Sequence, residues 1–308
     1  GLAKTKKLIL QDEVDVLVGV VSSGVLGAIR DTVDGAGVPL IVANAGNDEA
    51  TGEACSPYIT RISFSNQQVN RPMGKWMVDQ GVKKVFTIAP DYAAGRQMID
   101  AFTTAFTAAG GEVVGQEWPP FQKTQDFGPF LANAKASGAD AVYVFFAGGE
   151  AISFVKQYDS FGLKAELPLY GSGFLTEGVL DAAGPAADGV LTTLHYGDGI
   201  ETKRNKEYRL NYAKTFKMQP DVYAVQGYDT GLLLVQGANA VKGDVSKKAD
   251  MIKAMETAVI DSPRGKWTMS KAHNPVQDIY LREVSNKENK VIGVAAKALS
   301  DSGAGCRM

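Results

Sequence analysis

Ser22, Ser23 and Gly24 carry the clearest potential for chemistry in this chain, and that chemistry is anion binding. They follow the apolar run 14–21 and open a stretch, 25–33, whose apolar residues recur at helical spacing. Two hydroxyls and the N–H groups of a helix start suit a carboxylate. The competing reading is an ordinary serine N-cap. Asn44, Ala45 and Gly46 follow the next apolar run, 39–43. Small residues admit a ligand to the backbone and Asn44 both donates and accepts, although the same residues also make a plain turn. Tyr92, after the run 84–89, can stack on a flat ligand and offer its hydroxyl, or sit at the surface. Ala147, Gly148 and Gly149 follow 141–146, and Gly171-Ser172-Gly173-Phe174 follows 167–170. Strand ends without side-chain bulk leave room for a ligand or mark tight turns.

Other chemistries find little support. The paired glycines lack the spacing of a dinucleotide fingerprint, and neither a P-loop lysine motif nor a Gly-x-Ser-x-Gly elbow occurs. The histidines are His195 and His273 alone, and His195 reads as a structural residue or a ligand contact. Carboxylates are not paired at the strand ends, as glycoside hydrolysis would require. No Cys/His cluster has zinc spacing. We therefore expect no cofactor, no metal and no enzymatic activity. A net charge of −2 offers no basic surplus for a phosphate backbone, so nucleic acid is not an expected partner. No apolar run approaches the ~20 residues that span a bilayer, so membrane insertion is not expected either. Cys55 and Cys306 are the two cysteines. Cys306 lies beyond the flexible Ser302-Gly303-Ala304-Gly305, where a thiol has no packing role. A disulfide to Cys55 in an oxidising compartment is one reading, two unpaired thiols the other.

The elements that would position these residues alternate. Apolar runs at 14–20, 39–43, 84–89, 141–146, 167–170 and 190–194 read as strands. Helical spacing recurs at 25–33, 94–109, 127–137, 150–161, 203–216 and 223–241. Such alternation argues for parallel sheets built from right-handed crossovers. Residues 265–269 and 277–284 then read as strands with little helix between them, so the chain returns between two lobes more than once. A length of 308 residues suits two domains. We expect the crossings near 61–65, 194–197 and 272–275. The first lobe is then 1–63 with 197–273, and the second 64–196 with 274–308. In open α/β sheets ligands bind beyond the carboxyl ends of the strands, which is where the small, hydroxylated and aromatic residues collect.

These strand ends resemble the periplasmic solute-binding proteins of branched-chain amino-acid type ABC transporters, and most of all the subgroup that binds aromatic acids. The resemblance rests on Asp15-Val16-Leu17-Val18-Gly19 with Ser22-Ser23, on Asn44-Ala45-Gly46, and on Ala89-Pro90-Asp91-Tyr92-Ala93-Ala94-Gly95. It continues through Gln226-Gly227-Tyr228-Asp229, Ser262-Pro263-Arg264-Gly265-Lys266 and His273-Asn274-Pro275-Val276-Gln277-Asp278-Ile279-Tyr280. It implies an α/β protein of two Rossmann-like lobes joined by a multi-strand hinge, the type I periplasmic binding fold. It also implies a periplasmic location, a carboxylate ligand in the cleft between the lobes, and delivery to the permease subunits of the transporter. Members of this family usually begin with a further strand–helix–strand, so residues 1–10 read as the helix after it and the first lobe as N-terminally truncated. Amino-acid-binding relatives place a Thr where Gly46 stands and an ammonium-binding acid where Gly173 stands. A buried ammonium without an acid is costly, so the resemblance implies an aromatic acid, benzoate-like or phenylpropenoid, in a pocket enlarged by glycine. The implied pose sets the carboxylate on Ser22, Ser23 and the 44–46 backbone, the ring toward Tyr92, Gly148 and Gly173, and Tyr228 over the cleft. An amino-acid binder or a ligand-sensing domain of the same fold is the alternative.

Overall fold

The computed structural model describes residues 1–308 and divides them into two compact units. The first comprises Gly1–Ser65, Glu201–Asp278 and Ala298–Met308; the second comprises Asn66–Ile200 and Ile279–Lys297. No helix is long and apolar enough to cross a membrane.

The first unit begins with α1 (Leu2–Leu10), β1 (Leu17–Gly19), α2 (Ser23–Ala36), β2 (Leu40–Val42) and β3 (Ile59–Arg61). The three strands form a parallel sheet in the order β1-β2-β3, with Leu17 opposite Leu40 and Val42 opposite Arg61. β1 is shorter than the apolar run 14–21 suggests, because Val20 turns at φ +68° and Val21 is exposed. α2 buries Leu26, Ile29 and Val33, an i, i+3, i+7 stripe, against Leu17, Leu40 and Val42. It stops at Gly37, whose φ of +61° suits the left-handed helix cap.

The second unit contains α3 (Asn66–Asp79), β4 (Lys84–Ile88), α4 (Ala93–Ala108), β5 (Glu112–Glu117), α5 (Gly128–Ala136) and β6 (Ala141–Val144). It continues with α6 (Gly148–Ser160), α7 (Leu163–Glu166), β7 (Leu169–Ser172), α8 (Leu180–Ala183) and β8 (Leu191–Leu194). Strands β5-β4-β6-β7-β8 are parallel. All four residues of β6 are buried, the signature of a strand covered on both faces. Phe127, Phe146, Phe154 and Tyr158 pack ring against ring on one face. On α4, Phe102 stacks on Tyr143 of β6. α3 lies close enough to α4 that a methyl group on Gly74 would come within 2.6 Å of the Phe106 nitrogen, so that contact requires glycine.

The chain then returns to the first unit through α9 (Lys203–Phe216), α10 (Val222–Ala240), α11 (Lys248–Glu256), β9 (Val259–Ser262) and β10 (Gly265–Met269). α10, α11 and the β9–β10 hairpin bury Leu233, Met251, Met255, Ile260 and Trp267 with Ile41 and Ile62. β11 (Pro275–Ser285) pairs with β10 through Pro275 and Val276 and with β8 through Tyr280–Glu283, antiparallel in both cases. β12 (Glu288–Leu299) pairs with β11.

The unit boundaries fall after residues 65, 200, 278 and 297, against expected positions after 63, 196 and 273. The expected assignment of 274–308 to the second lobe needs correction. Residues 274–278 and 298–308 belong to the first unit, because specific bonds hold them there. Arg61 Nε donates to Asn274 Oδ1 at 2.6 Å, and Gln277 Nε2 donates to the Ser63 carbonyl at 2.7 Å. Thr51 donates to Asp301 Oδ2, which also pairs with Arg61 at 3.4 Å. Cys55 and Cys306 form a disulfide across a sequence separation of 251 residues. Replacing Cys306 by Ser is expected to cost about 2–5 kcal/mol of stability, read as a lower urea midpoint. An unchanged midpoint would mean that the Arg61–Asp301 contacts alone hold the tail.

Candidate functional site

The carboxyl ends of β1 and β2 lie side by side in the first unit and bring the first two predicted groups together. Ser22 occupies the N-cap position of α2, yet its side chain makes no capping hydrogen bond. Its half-buried hydroxyl therefore stands beside the orphan N–H groups of a helix start without satisfying them. Ser23 is buried, and its carbonyl accepts from Asn47 Nδ2 at 3.2 Å.

The loop after β2 is fixed from several sides. Ala43 and Ala45 donate their N–H groups to the carbonyls of Gly19 and Val20. Asn44 Nδ2 donates to Gln226 Oε1 at 2.8 Å, and Ser63 donates to the Asn44 carbonyl at 3.0 Å. Arg61, fully buried at the end of β3, donates to the carbonyls of Asn47 at 2.7 Å and Ala45 at 3.3 Å. Burial lowers the affinity of this guanidinium for its proton, while Asp301 and Asp48 oppose that effect. Asn44, Ala45 and Gly46 are all buried, and the Ala45 N–H is engaged within the protein. The rigid loop thus offers a ligand less backbone than its sequence suggests.

Tyr228 is half-buried and held within the first unit. Its hydroxyl accepts from Arg204 Nη2 at 2.8 Å and its ring packs 4.9 Å from Tyr208 of α9. Gln226, roughly 200° round the same helix, is the α10 residue that reaches the β2 end. Its neighbour Asp229 is fully buried. One carboxylate oxygen of Asp229 accepts from Ser262 at 2.9 Å and Trp267 Nε1 at 3.1 Å, and pairs with Arg264 at 3.0 Å. Burial raises the affinity of Asp229 for a proton, against the opposing pull of Arg264 and these hydrogen bonds.

In the second unit the ends of β4, β6 and β7 carry Tyr92, Ala147–Gly148 and Gly173. Tyr92 is half-buried at the start of α4, and Phe121 stacks on its ring at 3.9 Å, with Phe145 at 6.2 Å. Gly148 (φ +56°) and Gly149 are exposed, and a methyl group on either would touch nothing within 4 Å. The β6 end is therefore open. Nearby, Glu150 accepts from the Gln122 N–H at 2.8 Å and is held above its ordinary pKa by burial.

Gly173 does not enlarge a pocket in the way expected of it. A methyl group there would lie 2.5 Å from Leu194 Cβ and 2.7 Å from Arg282 Nη2. The space is filled by the protein itself, and the Gly173 carbonyl accepts from Arg282 Nη2 at 2.8 Å. Arg282 is fully buried; it pairs with Glu177 and also donates to the Tyr196 carbonyl at 2.9 Å. His195 is buried as well. Sequence reading missed Arg61, Arg282, Glu177 and Gln226 as organisers of these faces. The available signal was an arginine inside an apolar strand pattern, at 59–64 and again at 279–284. No group of three or more His, Cys, Asp or Glu side chains is placed to hold a metal ion.

With this geometry in view, the comparisons are specific. The chain belongs to the periplasmic binding protein family, whose model matches residues 1–289, and it has the two-lobed type I periplasmic-binding fold of that family. It is 42% identical to the solute-binding protein of an ABC transporter from R. palustris, solved in complex with benzoate; the match covers 100% of this chain and 84% of that one, with a TM-score of 0.96. A solute-binding protein of an ABC transporter from Rhodopseudomonas palustris BisB5, solved with 3,4-dihydroxybenzoic acid, is 34% identical over 97% of this chain and 83% of its own, with a TM-score of 0.89. Among curated proteins, Leu/Ile/Val-binding protein homolog 6 of Brucella melitensis is 33% identical over 296 residues, 93% of this chain and 74% of that protein.

The geometry yields two expectations. Gly173→Ala should cost about 1–3 kcal/mol through overpacking, whereas Gly149→Ala should cost little; chemical denaturation of the two variants checks the contrast. Because burial raises the folded pKa of Asp229 above its ordinary 3.8, its contribution is fully present below about pH 3.8 and is lost as pH rises through the raised value. Asp229→Asn should remove that part of the pH dependence, measured as urea midpoints across a pH series.

Proposed function

We propose that this chain is the extracytoplasmic, periplasmic solute-binding component of an ABC transporter, and that it carries a small aromatic carboxylate to the permease subunits. The carrying observation is the start of α2, where the Ser22 hydroxyl is not used as a cap and stands beside helix N–H groups. That arrangement suits a carboxylate head group. In this reading Ser22, Ser23 and the 44–46 loop hold the carboxylate, and the ring end meets Tyr92, Ala147, Gly148 and the Gly173 turn. Tyr228 is left out, because Arg204 and Tyr208 hold it on another face of α10. The relatives solved with benzoate and with dihydroxybenzoic acid support this ligand class.

A second reading, a branched-chain amino acid, draws on the name of the Brucella relative. An α-ammonium needs a carboxylate partner when buried. In the second unit the buried Glu177 is already engaged by Arg282, and position 173 has no room for an acid. Thermal shift with calorimetry on the purified chain separates the two readings. Benzoate is expected to raise the melting temperature, the stabilisation reaching about 2.7 kcal/mol when ligand stands at 100 times its Kd. A shift with leucine or valine and none with any aryl acid would overturn the assignment.

A further inference from the structure

We propose that the free end of α9, residues 214–219 together with Leu210, is a contact surface for a membrane that bears anionic phospholipid headgroups. The contact is shallow and reversible, a matter of lying on the membrane and not of spanning it. It stands apart from the choice of ligand.

α9 is anchored by its first half. Asn205 and Tyr208 are buried, and the chain is buried again at Pro220 and Val222. Between these anchors every residue from 214 to 219 is exposed. Lys217, at φ +59°, turns the chain off the helix end. The projecting stretch carries Phe216 and Met218, both 60% exposed, and Leu210 stands one turn before Lys214 at 71%. The Phe216 ring packs 4.6 Å from Tyr212 of its own helix. Single exposed apolar residues are ordinary, but three large ones gathered at a projecting helix end mark an interaction surface.

The charge around them has one sign. Between Tyr208 and Pro220 the chain holds Arg209, Lys214 and Lys217 and no Asp or Glu, in a protein whose net charge is −2. Lys217 Nζ donates to the Lys214 carbonyl at 2.9 Å, and neither lysine is in an ion pair. The acids that flank the stretch in sequence are committed elsewhere. Glu207 pairs with Lys203 at 3.7 Å, and Asp221 caps α10 by accepting from the Ala224 N–H at 2.9 Å. Cations set among exposed apolar side chains complement phosphate headgroups above acyl chains. Lysine stems lie along the apolar boundary while their ammonium groups reach the phosphates. The directions of the apolar groups favour lipid over a protein partner. Leu210 and Phe216 are six residues apart and point about 120° apart around the helix. A flat, rigid surface that covers one leaves the other bare, whereas a fluid headgroup layer closes around a projecting end.

Co-sedimentation of the full chain with vesicles tests this. One arm uses equal parts of phosphatidylcholine and phosphatidylglycerol, the other phosphatidylcholine alone. The wild type is expected to pellet with the mixed vesicles, to stay in solution with the neutral ones, and to be released by added salt. Lys214→Gln with Lys217→Gln should lower the partition by on the order of tenfold or more. Leu210→Ser with Met218→Ser should also lower it, with the charge unchanged. Because these side chains are exposed, both double variants should keep the wild-type melting temperature and benzoate affinity. A wild type left in solution by both kinds of vesicle overturns the proposal and leaves an acidic protein as the partner for this charge. Pelleting that neither double variant weakens also overturns it, as does equal pelleting with both kinds of vesicle. Failure to bind benzoate would sink the proposed function and leave the vesicle result standing.

Discussion

A buried arginine bonded to carbonyl groups is the constraint on which the first unit depends. Arg61 is buried, so its charge must be met inside the protein. Asp301 supplies the countercharge and Thr51, Asn274 and the carbonyls of Ala45 and Asn47 take the remaining N–H groups. Because two of those carbonyls belong to the loop after β2, the network that solves a charge problem also fixes the shape of a candidate binding face. The C-terminal tail, remote in sequence, becomes part of that solution through Asp301 and the Cys55–Cys306 bond.

The second unit repeats the device with different residues. Arg282 grips the Gly173 and Tyr196 carbonyls and takes its countercharge from Glu177. In both units, then, a strand-end loop is held from within by a guanidinium whose planar fork reaches several acceptors at once. The loops are left with their outer surfaces for other work and little freedom to adapt. Preorganisation of this kind lowers the ordering cost of binding. It also means that the open position in the second unit lies at Gly148 and Gly149, where no side chain fills the space, and not at Gly173.

Much of the architecture was legible because apolar spacing carries it. Helices α4, α6 and α10 lie within a few residues of their expected limits, and β6 reads directly from its apolar run. Helix α3 was not visible: it opens Asn66-Gln67-Gln68, contains Pro72, and buries Asn66, Gln68 and Asn70 alongside its apolar residues, so no clean stripe emerges. The small residues at strand ends were legible as a candidate site, since lack of bulk is a property of single positions. What each one does was not. Gly148 and Gly173 look alike in sequence, yet one faces open space and the other is packed against Leu194 and Arg282. The hydroxyl of Tyr228 accepts from Arg204, 24 residues earlier, a partner that the motif 226–229 does not announce. Such roles are set by partners brought in by the fold, which local pattern cannot supply.

The scattered composition of the first unit has a consequence for the order of assembly. Residues 66–200 are contiguous and carry five parallel strands, so most of the second unit can consolidate as soon as that stretch has emerged during synthesis. The first unit draws on three stretches of the chain. Asp301 and Cys306 follow every other segment they bind, and until they arrive Arg61 lacks its countercharge and Cys55 its bonding partner. The loop after β2 thus takes its final shape from residues some 240 positions further along the chain, and a change at Asp301 is felt at Ala45 and Asn47.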